Sequence, residues 1–130
     1  MGGCMQNDGN IGRWFGMWKV ECIEHNDVAL SDYHGNVVLK FQSGVMESCS
    51  VYDHHVLGRW VASCRYEPDA LIVSAGNAPT GSAGFAPEIK LPWVDNIRLQ
   101  IIAAEDDRTT LRYEGDEQNV YVYYLKKIYD

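Results

Sequence analysis

Gly16-Met17-Trp18-Lys19-Val20-Glu21-Cys22 is the stretch that decides the fold, because its pattern returns as Gly58-Arg59-Trp60-Val61-Ala62-Ser63-Cys64. In both stretches a Gly, a Trp, a small apolar residue and a Cys occupy every second position. Successive side chains of a strand point to opposite faces, so these four residues share one face. A helix would spread them around its circumference, and the Val and Trp content also favours a strand. Both stretches are therefore predicted to be half-buried strands that face one enclosed interior.

Length and composition narrow the class of protein. The 130 residues fit one domain, and 46% hydrophobic with 22% charged residues is ordinary for a globular protein. No apolar run approaches the roughly 18 residues that a transmembrane helix needs. The net charge of -7 opposes contact with phosphates. We therefore expect no nucleic-acid partner, no attraction to anionic membrane surfaces and no membrane-spanning helix.

The N-terminus carries a short processing-like motif. Gly2-Gly3-Cys4, followed by a polar stretch to Gly12, resembles the end of a bacterial lipoprotein signal and its mature tether. This predicts a flexible tether over residues 1–13, an acylated Cys4, and a location in the periplasm, at the outer membrane or at the cell surface; a plain disordered start is the alternative. The other three cysteines are expected to be small buried hydrophobes, with one internal disulfide as the alternative.

Eight strands are predicted along residues 14–130, and most are joined by short turns. They cover approximately residues 15–24, 33–42, 45–52, 56–66, 70–74, 97–103, 109–113 and 120–127. The exception among the connections is the segment 75–96, which is rich in Gly, Ala and Pro. An all-β, eight-stranded antiparallel up-and-down barrel removes its own sheet edges and is the predicted fold. A two-sheet sandwich is the alternative, although it needs longer crossovers.

Three of these features together resemble the lipocalin/calycin superfamily, and more closely the small lipocalin-like domains of bacterial surface lipoproteins. They are Gly16-x-Trp18 on the first strand, the eight-strand meander, and Lys126-Lys127 closing the last strand. The resemblance implies that Trp18 closes one end of the barrel and that a basic residue from the last strand packs over it. That residue is typically Arg in lipocalins, whereas here it is Lys. The resemblance implies a fold and a location more than an activity.

The meander sorts the loops onto two ends of the barrel. Short turns gather at one end, the closed end, and the longer connections 25–32, 53–55, 75–96 and 114–119 gather at the other, the mouth. A candidate ligand site is predicted at the mouth, in a shallow apolar cavity covered by a lid. Its residues are Cys22, Val37, Cys49, Val51, Trp60 and Tyr121 in the wall, with Phe85 and Trp93 as the lid. The alternative is that these side chains fill a packed core.

Catalytic and metal-binding patterns are not compelling in this sequence. All four histidines fall near the mouth, but His54 and His55 are adjacent and would point apart in a strand. No Ser or Cys lies in a nucleophile-elbow sequence, and the acidic pairs lie in turns at opposite ends. We therefore expect no enzyme activity, no metal site and no cofactor.

Two functions remain open at this point. The first is non-catalytic binding of a small apolar or amphipathic ligand through the mouth, by a lipid-anchored envelope lipoprotein. The second is a protein-interaction module that docks on another envelope protein through the mouth loops, chiefly residues 75–96, and has a filled barrel. A pocket of a few hundred cubic ångströms beneath Trp60 favours the first, whereas a solid interior with an exposed Phe85/Trp93 patch favours the second.

Overall fold

The computed structural model describes residues 12–76, 83–116 and 118–129, and strands dominate it. Two 3-10 helices, Gly12–Trp14 and Pro87–Ile89, and a two-residue strand, Val28–Ala29, accompany the long strands. The long strands are β1 (Gly16–His25), β2 (Val37–Gln42), β3 (Val45–Tyr52), β4 (His55–Glu67), β5 (Ala70–Ser74), β6 (Ile97–Ala104), β7 (Arg108–Asp116) and β8 (Asn119–Tyr129). Each predicted strand is present, with ends that differ by a few residues. Among the described residues, no helix is long and apolar enough to cross a membrane.

The strands form one closed antiparallel barrel. Each strand pairs with its neighbours in sequence, and β8 also pairs with β1, so the sheet closes on itself. Tight turns join several strands; Asp53 and His54 between β3 and β4 both have positive φ, the backbone that a two-residue hairpin requires. The eight-stranded up-and-down barrel is confirmed, and the alternative of a two-sheet sandwich is wrong.

Aromatic rings close the end of the barrel opposite the mouth. Trp18 is fully buried, and its ring centroid lies 5.8 Å from that of Trp14. The Lys127 Nζ lies 5.5 Å from the Trp18 ring and donates a hydrogen bond of 2.9 Å to the carbonyl of Arg13. The Arg13 guanidinium lies 5.3 Å from the same ring. The arrangement implied by the lipocalin resemblance, a basic residue of the last strand over the first-strand Trp, is confirmed with Lys in place of Arg.

The repeat on β4 has the predicted orientation, but the one on β1 is interrupted. Trp60 packs against the core and Ala62 is buried. On β1, the register with β8 shifts between the pairs Leu125–Val20 and Tyr124–Cys22. This bulge adds one residue and reverses the alternation, so Ile23 is buried in the core. The prediction that Cys22 faces the interior is therefore wrong.

The two faces of β3 are the reverse of the prediction: its even-numbered residues face the interior and its odd-numbered residues face outward. Opposite residues of an antiparallel pair share a face, and Met46 and Ser48 lie opposite the inward Ala62 and Trp60. Cys49 and Val51 consequently belong to the outer face, although Cys49 is buried there beneath its neighbours, with its thiol 3.5 Å from the Glu47 carboxylate.

All three cysteines in the described residues, Cys22, Cys49 and Cys64, are free thiols. The alternative of one internal disulfide is therefore wrong. The expectation of three small buried hydrophobes holds in part, since Cys49 is buried, Cys64 packs against the core, and Cys22 is only half-buried on the outer face.

Candidate binding site at the barrel mouth

The long connection between β5 and β6 enters the barrel from the mouth. Gly84 N donates a hydrogen bond of 3.1 Å to the carbonyl of Val61 on β4, and the chain then turns inward. We call residues 85–91 the plug. Its apolar side chains are almost completely buried in the main core: Phe85 0% exposed, Ala86 1%, Ile89 3% and Leu91 7%. The 3-10 helix Pro87–Ile89 lets the plug reverse direction inside the barrel.

Polar side chains of the barrel wall form hydrogen bonds with the plug, two with its backbone and one with a side chain. The Ala86 amide donates a hydrogen bond of 2.9 Å to Ser48 Oγ, and the Tyr123 hydroxyl donates one of 2.6 Å to the Ile89 carbonyl. Ser50 Oγ donates to the Glu88 carboxylate at 2.8 Å. Buried backbone groups need such partners, because each unpaired one costs about 1–3 kcal/mol. Ser48 and Ser50, the inward serines of β3, therefore form hydrogen bonds with the plug.

The plug leaves very little space in the middle of the barrel. The apolar void that the described wall and plug residues enclose has a volume of about 10 Å³. That is at the limit for a single water molecule, far below the roughly 300 Å³ of a small-ligand site. At this depth the barrel is packed, as the packed-core alternative expects, whereas the shallow cavity predicted at the mouth lies above this void and stays a prediction.

The predicted site residues separate into four groups, of which the first, Cys22, Cys49 and Val51, lies on the outer face. Val37 is buried, and Trp60 and Tyr121 pack against the core, so these three face the interior as expected. Phe85 is neither a lid nor part of an exposed patch with Trp93, because it lies within the core. Trp93 is 57% exposed and packs over Gly84, where a Cβ would come within 2.7 Å of the Trp93 ring. Its ring therefore covers backbone rather than a pocket.

A row of stacked rings crosses the inner wall near the mouth. The His25 ring stacks on Tyr121 with centroids 4.7 Å apart, and Tyr121 stacks on Tyr113 at 6.4 Å. The three residues are direct neighbours across β1, β8 and β7. His25 Nε2 also lies 2.8 Å from the Asn119 amide oxygen. His25 and Tyr113 were not predicted as neighbours of Tyr121, because cross-strand register is not visible in the spacing of one strand.

Large apolar side chains are exposed on one side of the mouth. We call Tyr52, Val56, Leu57 and Trp93 the mouth patch; Leu57 is 68% exposed and Tyr52 70%. The first half of β4 extends beyond β5, whose pairing with β4 begins only at Ser63, so the β3–β4 hairpin projects from the barrel. Tyr52, Val56 and Leu57 lie together on this hairpin, and Trp93 lies over Gly84, which bonds to Val61 of the same strand β4. Exposed apolar groups of this kind are typical of surfaces that bind a partner.

The three described thiols have pKa shifts opposite to that of an activated nucleophile. Burial raises the pKa of the Cys49 and Cys64 thiols, whereas a reactive thiolate has a lowered pKa. Burial also raises the pKa of the Tyr123 hydroxyl, which stays protonated and donates to the plug. Within the described ranges, no three His, Cys, Asp or Glu side chains lie close enough together to hold a metal ion.

Comparison with known proteins identifies the class of fold. A lipocalin-like protein from Bacteroides uniformis superposes with a TM-score of 0.64 at 14% identity, covering 90% of this chain and 100% of that one. An uncharacterized protein from Bacteroides eggerthii gives the same TM-score and identity, covering 88% of this chain and 99% of that one. No family model and no curated protein matches the sequence. The chain therefore has a lipocalin-like fold.

Proposed function

We propose that this protein is a non-catalytic interaction module that docks on another protein of the cell envelope through the mouth patch. The observation that carries the proposal is that the barrel interior is filled by the chain's own plug, while Trp93 and Leu57 stay exposed beside it. A rim of apolar side chains around a rigid barrel suits a partner surface, because burying it removes apolar area from water without reorganising the core.

Energetics favour this function over a ligand held inside the barrel. Removing the buried side chains of Phe85, Ile89 and Leu91 from the core costs about 1.5–3 kcal/mol each. A ligand that replaces the plug must offset this loss before it shows any net affinity. A partner that covers the mouth patch meets no such cost.

We propose further that the protein is held at the envelope membrane through Cys4, which lies outside the described residues. The first described residues, Gly12–Trp14, lie at the closed end, where Trp14 contacts Trp18. Mass spectrometry of protein purified from the source cells tests this anchor. The proposal predicts acyl chains on Cys4 and release of a Cys4→Ala variant from the membrane fraction; an unmodified Cys4 contradicts the anchor.

Site-specific photocrosslinking in the source cells tests the partner. A photoreactive amino acid at position 93 is expected to give one dominant crosslinked protein. The matched control is the same group at Tyr129, which is 71% exposed at the closed end and is expected not to give that product. The proposal fails if position 93 gives no product, or if both positions capture the same proteins.

The wall contacts of the plug favour a second candidate, an amphipathic ligand that replaces it. Ser50 donates to a carboxylate and Tyr123 to a carbonyl, while apolar walls hold the plug side chains. A fatty acid presents the same combination. A fluorescent fatty acid that binds wild type and binds more tightly to an Ile89→Asp variant, whose plug is weakened, supports this candidate. Absence of binding to both proteins excludes it.

A further inference from the structure

A slot opens on the side of the barrel where β6 and β7 separate toward the mouth. The pairing between these strands ends at Gln100 and Arg112, although β7 continues beside β8 to Asp116. The slot has a volume of about 360 Å³. This lies within the range of roughly 300–1,000 Å³ that small-molecule sites occupy.

The charged side chains at the slot already have partners. Arg112 contacts the Glu114 carboxylate at 2.6 Å. Arg98 contacts Glu67 at 3.2 Å and Asp69 at 2.8 Å. An anionic ligand would compete with these carboxylates for the guanidinium groups, and a cationic ligand would compete with the guanidinium groups for the carboxylates. The carboxylate of Asp95 also lines the slot; it accepts a hydrogen bond of 2.9 Å from the Gly76 amide and has no ion pair with a described residue. The two arginines of the slot therefore have little free charge to offer an anion.

Three neutral polar side chains of the slot are uncommitted. Among the described residues, the side-chain amides of Asn96 and Gln100 and the hydroxyl of Tyr113 make no hydrogen bond. Each of these groups can both donate and accept. Tyr113 also brings an aromatic ring to the slot wall, held in place by its stacking on Tyr121 with an angle of 17° between the ring planes.

We propose that this slot binds a neutral polyhydroxy molecule, specifically a monosaccharide ring or the terminal sugar of a glycan. Sugar hydroxyls donate and accept, which matches the carboxamides of Asn96 and Gln100 and the Tyr113 phenol. The C–H face of a sugar ring is apolar and packs on an aromatic side chain. The slot is lined by none of the four mouth-patch residues, although Val94 in its wall directly follows Trp93 and Tyr113 reaches it from the inner wall.

Nuclear magnetic resonance titration of the ¹⁵N-labelled full chain tests the proposal. The probes are glucose, galactose, mannose and N-acetylglucosamine, each added to about 50 mM, which suits a Kd near 1 mM. At least one sugar is expected to shift the side-chain amide signals of Gln100 and Asn96 saturably. Gln100→Ala is expected to weaken this binding at least tenfold, and Asn96→Gly, which keeps the positive φ of 58°, to weaken it as well.

The matched control is Gln42→Ala, which removes an exposed amide near the closed end and is expected to bind like wild type. The spectrum of each variant shows whether it is folded. The proposal is overturned if none of the four sugars gives a saturable shift, if the shifts lie outside the slot, or if folded Gln100→Ala and Asn96→Gly both bind as wild type does. Stronger shifts of the same signals with inorganic phosphate would overturn the assignment to a neutral ligand.

Discussion

The Trp60 ring lies directly over Gly58, two residues earlier on the same strand: a Cβ at Gly58 would come within 2.5 Å of Trp60 Cη2. The Gly-x-Trp pattern on β4 therefore has a steric cause, since only glycine leaves room for the ring.

Gly58→Ala is expected to destabilise the protein, because the indole must leave its position against the core. Overpacking of this kind costs about 1–3 kcal/mol. Urea unfolding measures the change. The control is Gly44→Ala, where a Cβ would meet nothing closer than 3.6 Å and the backbone φ is not positive. Equal stabilities of the two variants would contradict the steric explanation.

Ser48→Ala removes the acceptor of the Ala86 amide in the plug. An unpaired buried donor costs about 1–3 kcal/mol, so the variant is expected to lose stability and to exchange the Ala86 amide hydrogen faster. Hydrogen-exchange mass spectrometry resolves the plug peptides. Ser63→Ala on the exposed face of β4 is the matched control. Unchanged exchange over residues 85–91 in Ser48→Ala would show that Ser48 does not hold the plug.

Lys127→Met is expected to weaken the closed end by about 1 kcal/mol, since it removes a cation over Trp18 and a donor to the Arg13 carbonyl. Lys127→Arg keeps both the cation and the hydrogen-bond donor, so it is expected to retain most of the stability. Thermal unfolding separates the two variants. Lys40→Met, at an exposed position of β2, controls for loss of charge alone. A Lys127→Met protein as stable as Lys40→Met is incompatible with this role.

Stability is expected to fall at alkaline pH, partly because of Cys64. Burial raises the pKa of this thiol above 9.0, so its ionisation is disfavoured in the folded chain. The contribution is constant below the pKa of the unfolded thiol and is lost as the pH rises through the folded value. Urea unfolding between about pH 7 and 10 measures the slope, which Cys64→Ala is expected to reduce. An unchanged slope in that variant would refute the assignment.

The strand pattern of the sequence was sufficient for the fold, because hydrophobic alternation, turn residues and strand lengths are local properties. The barrel, its closed end and the inward Trp60 follow from them. The orientation of β3 does not, because its inward serines look like solvent-facing residues until the plug backbone supplies their partners. The position of Cys22 depends on a bulge set by pairing with β8, a long-range property that a single strand does not reveal.

The path of the plug was equally hidden from the sequence. Phe85 and Trp93 have similar apolar character, yet Phe85 is buried and Trp93 is 57% exposed. Their difference arises from the turn at residues 87–90, in which Lys90 adopts a left-handed backbone and returns the chain toward the mouth. Proline and glycine content indicated an irregular segment but not its direction.

Solution NMR of the ligand-free protein tests the central claim, that the chain fills its own barrel, most directly. The account predicts nuclear Overhauser effects from the Ile89 methyl groups to the Tyr123 ring and to Leu111, which line the same void. Random-coil shifts across residues 85–91, with no contact between Ile89 and the barrel wall, would contradict it and restore an open barrel.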